Sequence, residues 1–264
     1  MTAVILAAGR GGRLRGIAGD RPKCLVRTGD CTLLERQIRA LRACEVDRIV
    51  VVTGYRCEEV QRVAGRPVDI VHNTRFSTTN SLYSLWLARD FLLDGCVILN
   101  GDVLFPEQLL VDLLTARYED ALLVEARTGA FSDEEMKVCV RGGRVVDIAK
   151  TLAGDQTDAE NVGIGKFGAG GGHVLVEEIE ALIGSGAVGA WVPAAFAAFC
   201  RRRPLHIVDT RGFPWIDIDF PEDYWRACSD VLPSIDVLDA RRHRQPEALA
   251  AGASATLGRT RSHV

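Results

Sequence analysis

The stretch Val4–Leu25 reads VILAAGRGGRLRGIAGDRPKCL. It belongs to a continuous apolar run, TAVILAA over 2–8, as expected of a strand buried on both faces of a parallel sheet. Glycines at 9, 11 and 12 follow, among Arg10, Arg13, Arg15, Arg21 and Lys23, with Asp20 as the only acid. A strand that runs into glycines can turn backbone N–H groups toward a phosphate. The dinucleotide fingerprint G-x-G-x-x-G fails at its sixth position, where Leu14 stands for glycine. The next strand-like run, DRIVVVTG over 47–54, comes late for a compact dinucleotide unit and ends in TGY without a ribose-binding acid. A P-loop is excluded, because no G-K-[ST] follows. What is left is a glycine loop with five cations. It suits a triphosphate, whose oxygens are neutralised by guanidinium forks and an ammonium, with a solvated basic loop as the plain alternative.

Outward from this loop, helix and strand patterns alternate. Residues 32–43 put Leu33, Leu34, Ile38 and Leu41 on one helical face, 58–65 reads as a short helix ended by Gly65, and 68–73 as a strand. A helix over 80–92 with Asn80 near its N-cap precedes a central strand over 96–105, a helix over 106–116 and a strand over 120–126. Residues 136–150 read as two strands around Gly142-Gly143, a hairpin signature. A strand over 161–168, a glycine-rich turn, helices over 173–183 and 190–201, a strand over 204–210 and a helix over 221–232 complete the pattern. The spacing predicts one α/β domain over 1–232 with a β-rich insertion, and a tail over 233–264 that lacks periodicity and is expected to be flexible.

Bulk properties fit a globular protein with a real core: 264 residues, 47% hydrophobic and 25% charged, with 32 basic against 35 acidic side chains. A net charge of −3 gives no reason to expect nucleic acid or a membrane surface as partner. The apolar run at 2–8 is too short for a signal or a membrane span, so a cytoplasmic protein is expected. The eight cysteines form no C-x-x-C pair, which argues against zinc and for small buried hydrophobes.

Two carboxylate clusters stand out. Asp102 follows the strand VILNG in a polar turn, where it can serve a metal at a sheet edge or simply make the turn. Asp217 and Asp219 in WIDIDFPEDY alternate along a strand, hence share a face, and two like charges there call for a cation. An exposed edge strand is the plainer reading.

LAAGRGGRLRGIAGDRPKCL resembles the signature loop of the nucleotidyltransferases that activate sugar phosphates and related phosphorylated alcohols, with Gly12 where Ser or Thr is usual. The resemblance covers about residues 2–230 and implies a Rossmann-like, mostly parallel mixed sheet flanked by helices, of nucleotide-diphospho-sugar transferase type. It implies that Leu6, Ala7, Ala8, Gly9, Gly11, Gly12 and Arg13 hold the nucleotide phosphates and that Lys23 contacts the reacting ones. Gly101 and Asp102 match the family's G-D after a central strand, and the late acidic element carries its second Mg²⁺ ligand. Alignment on P-E-D makes that ligand Asp219, alignment on Trp215 makes it Asp217, and Asp223 reads as a helix-terminus acid.

HNTRFSTTNSLYSLWLARDFL, residues 72–92, is similar to a narrower branch, the cytidylyltransferases of phosphocholine, aminoethylphosphonate and like acceptors. There Thr79, Asn80 and Ser81 would sit beside the base, although capping alone would account for Asn80 or Ser81. Ser84, Lys150, Glu160, Gly163 and Asp217 are the implied acceptor contacts, and Lys166 reads as a solvated lysine on a strand. Trp86, Trp191, Trp215, Tyr83 and Phe167 are either cage walls or core. The expected reaction is Mg²⁺-dependent transfer of CMP from CTP to a small phosphate or phosphonate, with a homodimer as one assembly it allows. The alternatives are a guanylyl- or thymidylyltransferase acting on a sugar or cyclitol 1-phosphate, or a non-catalytic nucleotide-sensing member.

Overall fold

The structure, a computed structural model, describes residues 1–127 and 129–257. In chain order, β1 (Thr2–Ala7) is followed by α1 (Arg15–Ala18), the short strands β2 (Arg27–Thr28) and β3 (Cys31–Thr32), α2 (Leu33–Ala43), β4 (Arg48–Thr53), α3 (Cys57–Ala64) and β5 (Asp69–His72). Next come α4 (Ser81–Leu87), β6 (Cys96–Asn100), β7 (Val103–Leu104), α5 (Glu107–Thr115), β8 (Ala121–Ala126), β9 (Lys137–Arg141), β10 (Arg144–Ala149) and β11 (Ala159–Phe167). The last part holds α6 (Ala169–Gly184), α7 (Pro193–Cys200), β12 (His206–Asp209), β13 (Ile216–Asp217), α8 (Pro221–Arg226) and α9 (Leu232–Leu257).

Nine strands form a mixed sheet in the order β5-β4-β1-β6-β11-β8-β12-β10-β9. The half carrying β5, β4, β1 and β6 is parallel. β11 lies antiparallel between β6 and β8, and the β9–β10 hairpin closes the far edge. Both faces of the central strands are covered. Ile5, Val51 and Leu99 belong to one core cluster and Val4, Val50 and Ile98 to the other, which is why these strands read as unbroken apolar runs. The chain steps outward from β1 to β4 and β5, then returns to lay β6 on the other side of β1. The crevice at the carboxyl ends of β1 and β6 is therefore a topological switch point, where open α/β sheets take their ligands.

Some elements differ from what the sequence pattern suggests. The apolar run 96–105 is broken: β6 stops at Asn100, the Gly101 N–H donates to the Leu6 carbonyl at 3.0 Å, and β7 leaves to pair antiparallel with β13. The helix expected from 173 starts at Ala169, so Gly170–Gly172 are helical. A Cβ at Gly171 or Gly172 would run into the Asp120 carboxylate or the Leu92 carbonyl, so these glycines serve close packing and make no turn. The helix expected over 80–92 ends at Leu87, with a 3₁₀ turn over Arg89–Phe91. Lys166 is 4% exposed; it is not solvated but donates to the Leu114 and Ala116 carbonyls at the end of α5. From 233 on, where the sequence pattern shows no periodicity, the chain continues α8 through a π-turn into α9, and Leu232 and Ile235 are buried. Residues 258–264 of the expected tail lie outside the described residues. Among the described residues no helix is long and apolar enough to cross a membrane.

Candidate active site

The site grows from two strand geometries. Along the β13 segment Ile216 and Ile218 point into a core cluster, so the alternating Asp217 and Asp219 take the opposite face. Antiparallel pairing sets Asp217 across from Val103, and the Ile218 N–H donates to the Asp102 carbonyl at 3.2 Å. The late acids thus meet the turn that follows β6. Oxygens of Asp102, Asp217 and Asp219 lie within 4.8 Å of one another.

Lys23 stands among them. It opens a 3₁₀ turn after Pro22, anchored by buried Cys24 and Leu25. Its Nζ donates to Asp219 Oδ1 at 2.5 Å, Asp102 Oδ2 at 2.7 Å and Asp217 Oδ1 at 3.4 Å. Gly11 closes over its stem with φ +67°, and a Cβ there would fall 2.9 Å from Lys23 Cβ. Gly12 is the opposite case, because a Cβ would meet nothing within 4 Å.

Burial alone would push the Lys23 ammonium down, but the charges of the three aspartates outweigh it and hold Lys23 above the ordinary lysine range. The acids divide. Desolvation and the Asp102 charge raise Asp217, while Lys23 overcomes the desolvation of Asp219 and keeps it below the ordinary carboxylate range. Asp102 Oδ1 is buried with no hydrogen-bond partner. An all-oxygen cluster with an orphaned carboxylate oxygen fits a hard divalent metal, and these acids could hold one.

Around this centre lies a cavity of about 300 Å³. Leu6, Ala8 and Gly9 line it at the end of β1, whereas Ala7 faces the core. Arg13 lies 4.0 Å from Asp219 and 3.8 Å from Glu134, with its guanidinium 4.7 Å from the centre of the Phe220 ring. Arg10 instead pairs with Asp20 and covers Tyr55, and Arg15 and Arg21 are exposed, so the five cations do not act as one cluster. Asp223 accepts the Asp219 and Phe220 N–H groups at the start of α8.

Thr79, Asn80, Ser81 and Ser84 line one end of the cavity. Each is also held internally. Asn80 Oδ1 accepts the Ser81 N–H, Ser81 Oγ accepts the Val192 N–H, and the Asn73 amide donates to Thr79 and Ser84 at 3.1 and 3.0 Å. Asn73, 1% exposed, organises this end and was not singled out from the sequence; a buried amide ending the strand VDIVHN was its signal.

At the other end Lys150 Nζ pairs with Glu134 at 3.1 Å and lies 5.1 Å from the centre of the Trp191 ring. Glu160 meets Arg127 at 3.4 Å, beside Glu135. Burial first, and then the charge of Glu135, push the Glu160 carboxyl up to about 7. Glu134 and Glu135, in an irregular segment without periodicity, escaped the sequence reading. Gly163 packs against the Asn100 side chain, and Gly101 against the Leu6 carbonyl, both behind the cavity wall. Trp191 and Trp215 line the cavity; Phe167 is core, and the Tyr83 and Trp86 rings pack at a tilt with centres 5.3 Å apart.

The family profile described as the MobA-like NTP transferase domain matches residues 3–203. The chain belongs to that family. This NTP transferase chain is similar to the CTP:phosphoglutamine cytidylyltransferase of Campylobacter jejuni, with 26% identity over 185 residues, 63% of this chain and 73% of that protein. It is 32% identical over 227 residues to the bifunctional IPC transferase and DIPP synthase of Rubrobacter xylanophilus, which covers 84% of this chain. The chain spans about half of that relative's length, 50%. The solved CTP:phosphocholine cytidylyltransferase from Streptococcus pneumoniae superposes with a TM-score of 0.72 at 22% identity, covering 85% of this chain and 96% of that one, and shows the same fold.

Proposed function

We propose that this chain transfers CMP from CTP to a small phosphorylated alcohol or a phosphonate, with Mg²⁺, and releases pyrophosphate. One observation carries the reading. Three aspartates from two distant segments converge on Lys23, in a cavity that runs from the glycine loop at one side to Lys150 at the other.

In this scheme the backbone of Ala8–Gly12, with Arg13, grips the triphosphate. Lys150 binds the acceptor phosphate or phosphonate, whose oxygen is already ionised near neutral pH, so no general base is needed. That oxygen attacks the α-phosphorus in line; its bond to phosphorus forms as the bond to the bridging oxygen breaks, and pyrophosphate leaves with the electron pair. Asp102 and Asp219, with Asp217 beside them, would hold Mg²⁺, which when bound neutralises phosphoryl charge. Lys23 and Arg13 supply fixed positive charge where negative charge builds up. Thr79, Asn80 and Ser81 form the base end, with the Thr79 hydroxyl held by Asn73, the Asn80 amide by the Ser81 N–H and the Ser81 hydroxyl by the Val192 N–H.

The test is pyrophosphate release from each of four NTPs paired with phosphocholine, aminoethylphosphonate, hydroxyethylphosphonate, inositol 1-phosphate and several hexose 1-phosphates. Release with CTP and a small phosphate or phosphonate is expected. Release only with GTP or dTTP and a sugar phosphate would replace this reading, and no release with any pair would end it.

A further inference from the structure

The family profile ends at residue 203, yet α9 reaches the floor of the centre from beyond it. A third core cluster lies beneath the acids: Leu14, Val26, Leu33, Leu104, Ile216, Ile218, Ala227, Leu232 and Ile235. The segments that carry Arg13, Lys23, Asp102, Asp217 and Asp219 all contribute to it. Leu14 is next to Arg13 in the signature loop, Leu104 follows Asp102 by two residues, and Ile216 and Ile218 alternate with Asp217 and Asp219. Leu232 (6% exposed) and Ile235 (1% exposed) from the first turn of α9 complete the cluster.

Polar ties fix where that turn sits. Asp236 pairs with Arg36 of α2 at 3.0 Å, and Arg36 Nε donates in turn to the Thr28 carbonyl. Asp239 Oδ1 accepts the Glu107 N–H at the start of α5 at 3.0 Å, and His243 lies 3.1 Å from Glu107. α2 follows the segment that bears Lys23, and α5 follows the turn that bears Asp102. The first turns of α9 thus clamp both segments from below while their own apolar residues fill the space under β13.

We infer that α9 is a positioning element of the metal-binding acids, and that Ile235 sets their spacing through Ile216, Ile218 and Leu14. The inference rests on the reading of Asp102, Asp217 and Asp219 as a metal cradle. A buried isoleucine can be removed from many places in this protein, but only here does the resulting slack lie under carboxylates that must converge on one ion.

The test compares Ile235→Ala with Ile179→Ala, an equally buried isoleucine in the core around α6. Mn²⁺ is titrated into the full-length proteins and free Mn²⁺ is followed by electron paramagnetic resonance, alongside the Mg²⁺ concentration that half-activates pyrophosphate release. Ile235→Ala is expected to weaken Mn²⁺ binding about 10-fold and to raise the half-activating Mg²⁺ in step, since small misplacement of converging groups is costly. Ile179→Ala should leave both within about 2-fold for want of any contact with the acids. If Ile235→Ala does not fold, Ile235→Val is read the same way, with a smaller shift in the same direction. Equal effects of the two sites, or none at Ile235, would overturn the inference. Wild-type Mn²⁺ binding unaltered by Asp102→Asn would instead overturn the metal cradle itself, and this inference with it.

Discussion

The two ends of the cavity are built by opposite means. The proposed phosphate grip is one continuous stretch, Leu6 to Lys23, in which Leu6, Ala8 and Gly9 line the cavity and the Lys23 ammonium contacts all three aspartates. The proposed acceptor end is collected from Glu134, Lys150, Glu160 and Trp191, which come from separate segments and are held by ion pairs and a cation over a ring. A backbone cradle offers one geometry and tolerates little change. A wall of mutually paired side chains can be rewritten residue by residue, so acceptor choice can vary while the phosphate grip stays fixed.

The largest effect should come from the nucleotide end. Lys23→Met removes the one cation among the described residues that contacts all three aspartates, and turnover is expected to fall about 10²–10³-fold, as when a preorganised charge is deleted from a transition state. Steady-state pyrophosphate release checks it; a loss under 10-fold, on the order of a single hydrogen bond, would place the essential charge elsewhere. At the acceptor end the loss should be selective. Lys150→Ala is expected to raise the acceptor KM about 10- to 100-fold, the scale of one charged hydrogen bond, with the CTP KM unmoved. Equal changes in both KM values would break the division between the two ends.

Glu160 gives a pH signature of the acceptor end alone. Its carboxyl is raised from 4.5 to about 7, so the native state holds its proton more tightly than the unfolded chain does. That stabilisation is full below the ordinary glutamate range and is lost as pH rises toward 7. Thermal unfolding followed across this window should show the wild type losing stability relative to Glu160→Gln; parallel curves would remove the raised carboxyl from the account. The smallest effect belongs to Gly12. Space is open around it, so Gly12→Ser should fold normally and lower the CTP KM about 2- to 10-fold by adding one hydroxyl donor. A rise in KM would mean that the open space is itself used by the nucleotide.

The same contrast explains what the sequence made legible. The β1 strand and its loop are written in contiguous residues, and the Gly142-Gly143 hairpin is a local turn, so both were read directly. The break after Asn100 was not, because β7 exists only by pairing with β13, more than a hundred residues away. Gly170–Gly172 look like a loop until Asp120 and Leu92 are known to press against that helix. Among the described side chains of α9, Leu232 and Ile235 alone are buried, and the ties at Asp236, Asp239 and His243 are polar, which leaves no apolar stripe to read there. In the site, Asp102, Asp217, Asp219 and Lys23 were nameable from their strand-end and loop contexts, but their common meeting point was not. Glu134 and Glu135 carry no local signal, since their role comes from Lys150 and Arg127 across the insertion.

We propose the aspartate cluster around Lys23 as the place of nucleotidyl transfer. Asp102→Asn tests it most directly, because the amide keeps the shape and one acceptor oxygen while removing the charge of an aspartate that has an orphaned buried oxygen. Pyrophosphate release from CTP with a productive acceptor should fall about 10²-fold or more, with circular dichroism and unfolding temperature close to wild type. A folded Asp102→Asn protein that releases pyrophosphate at near wild-type rate would contradict the account.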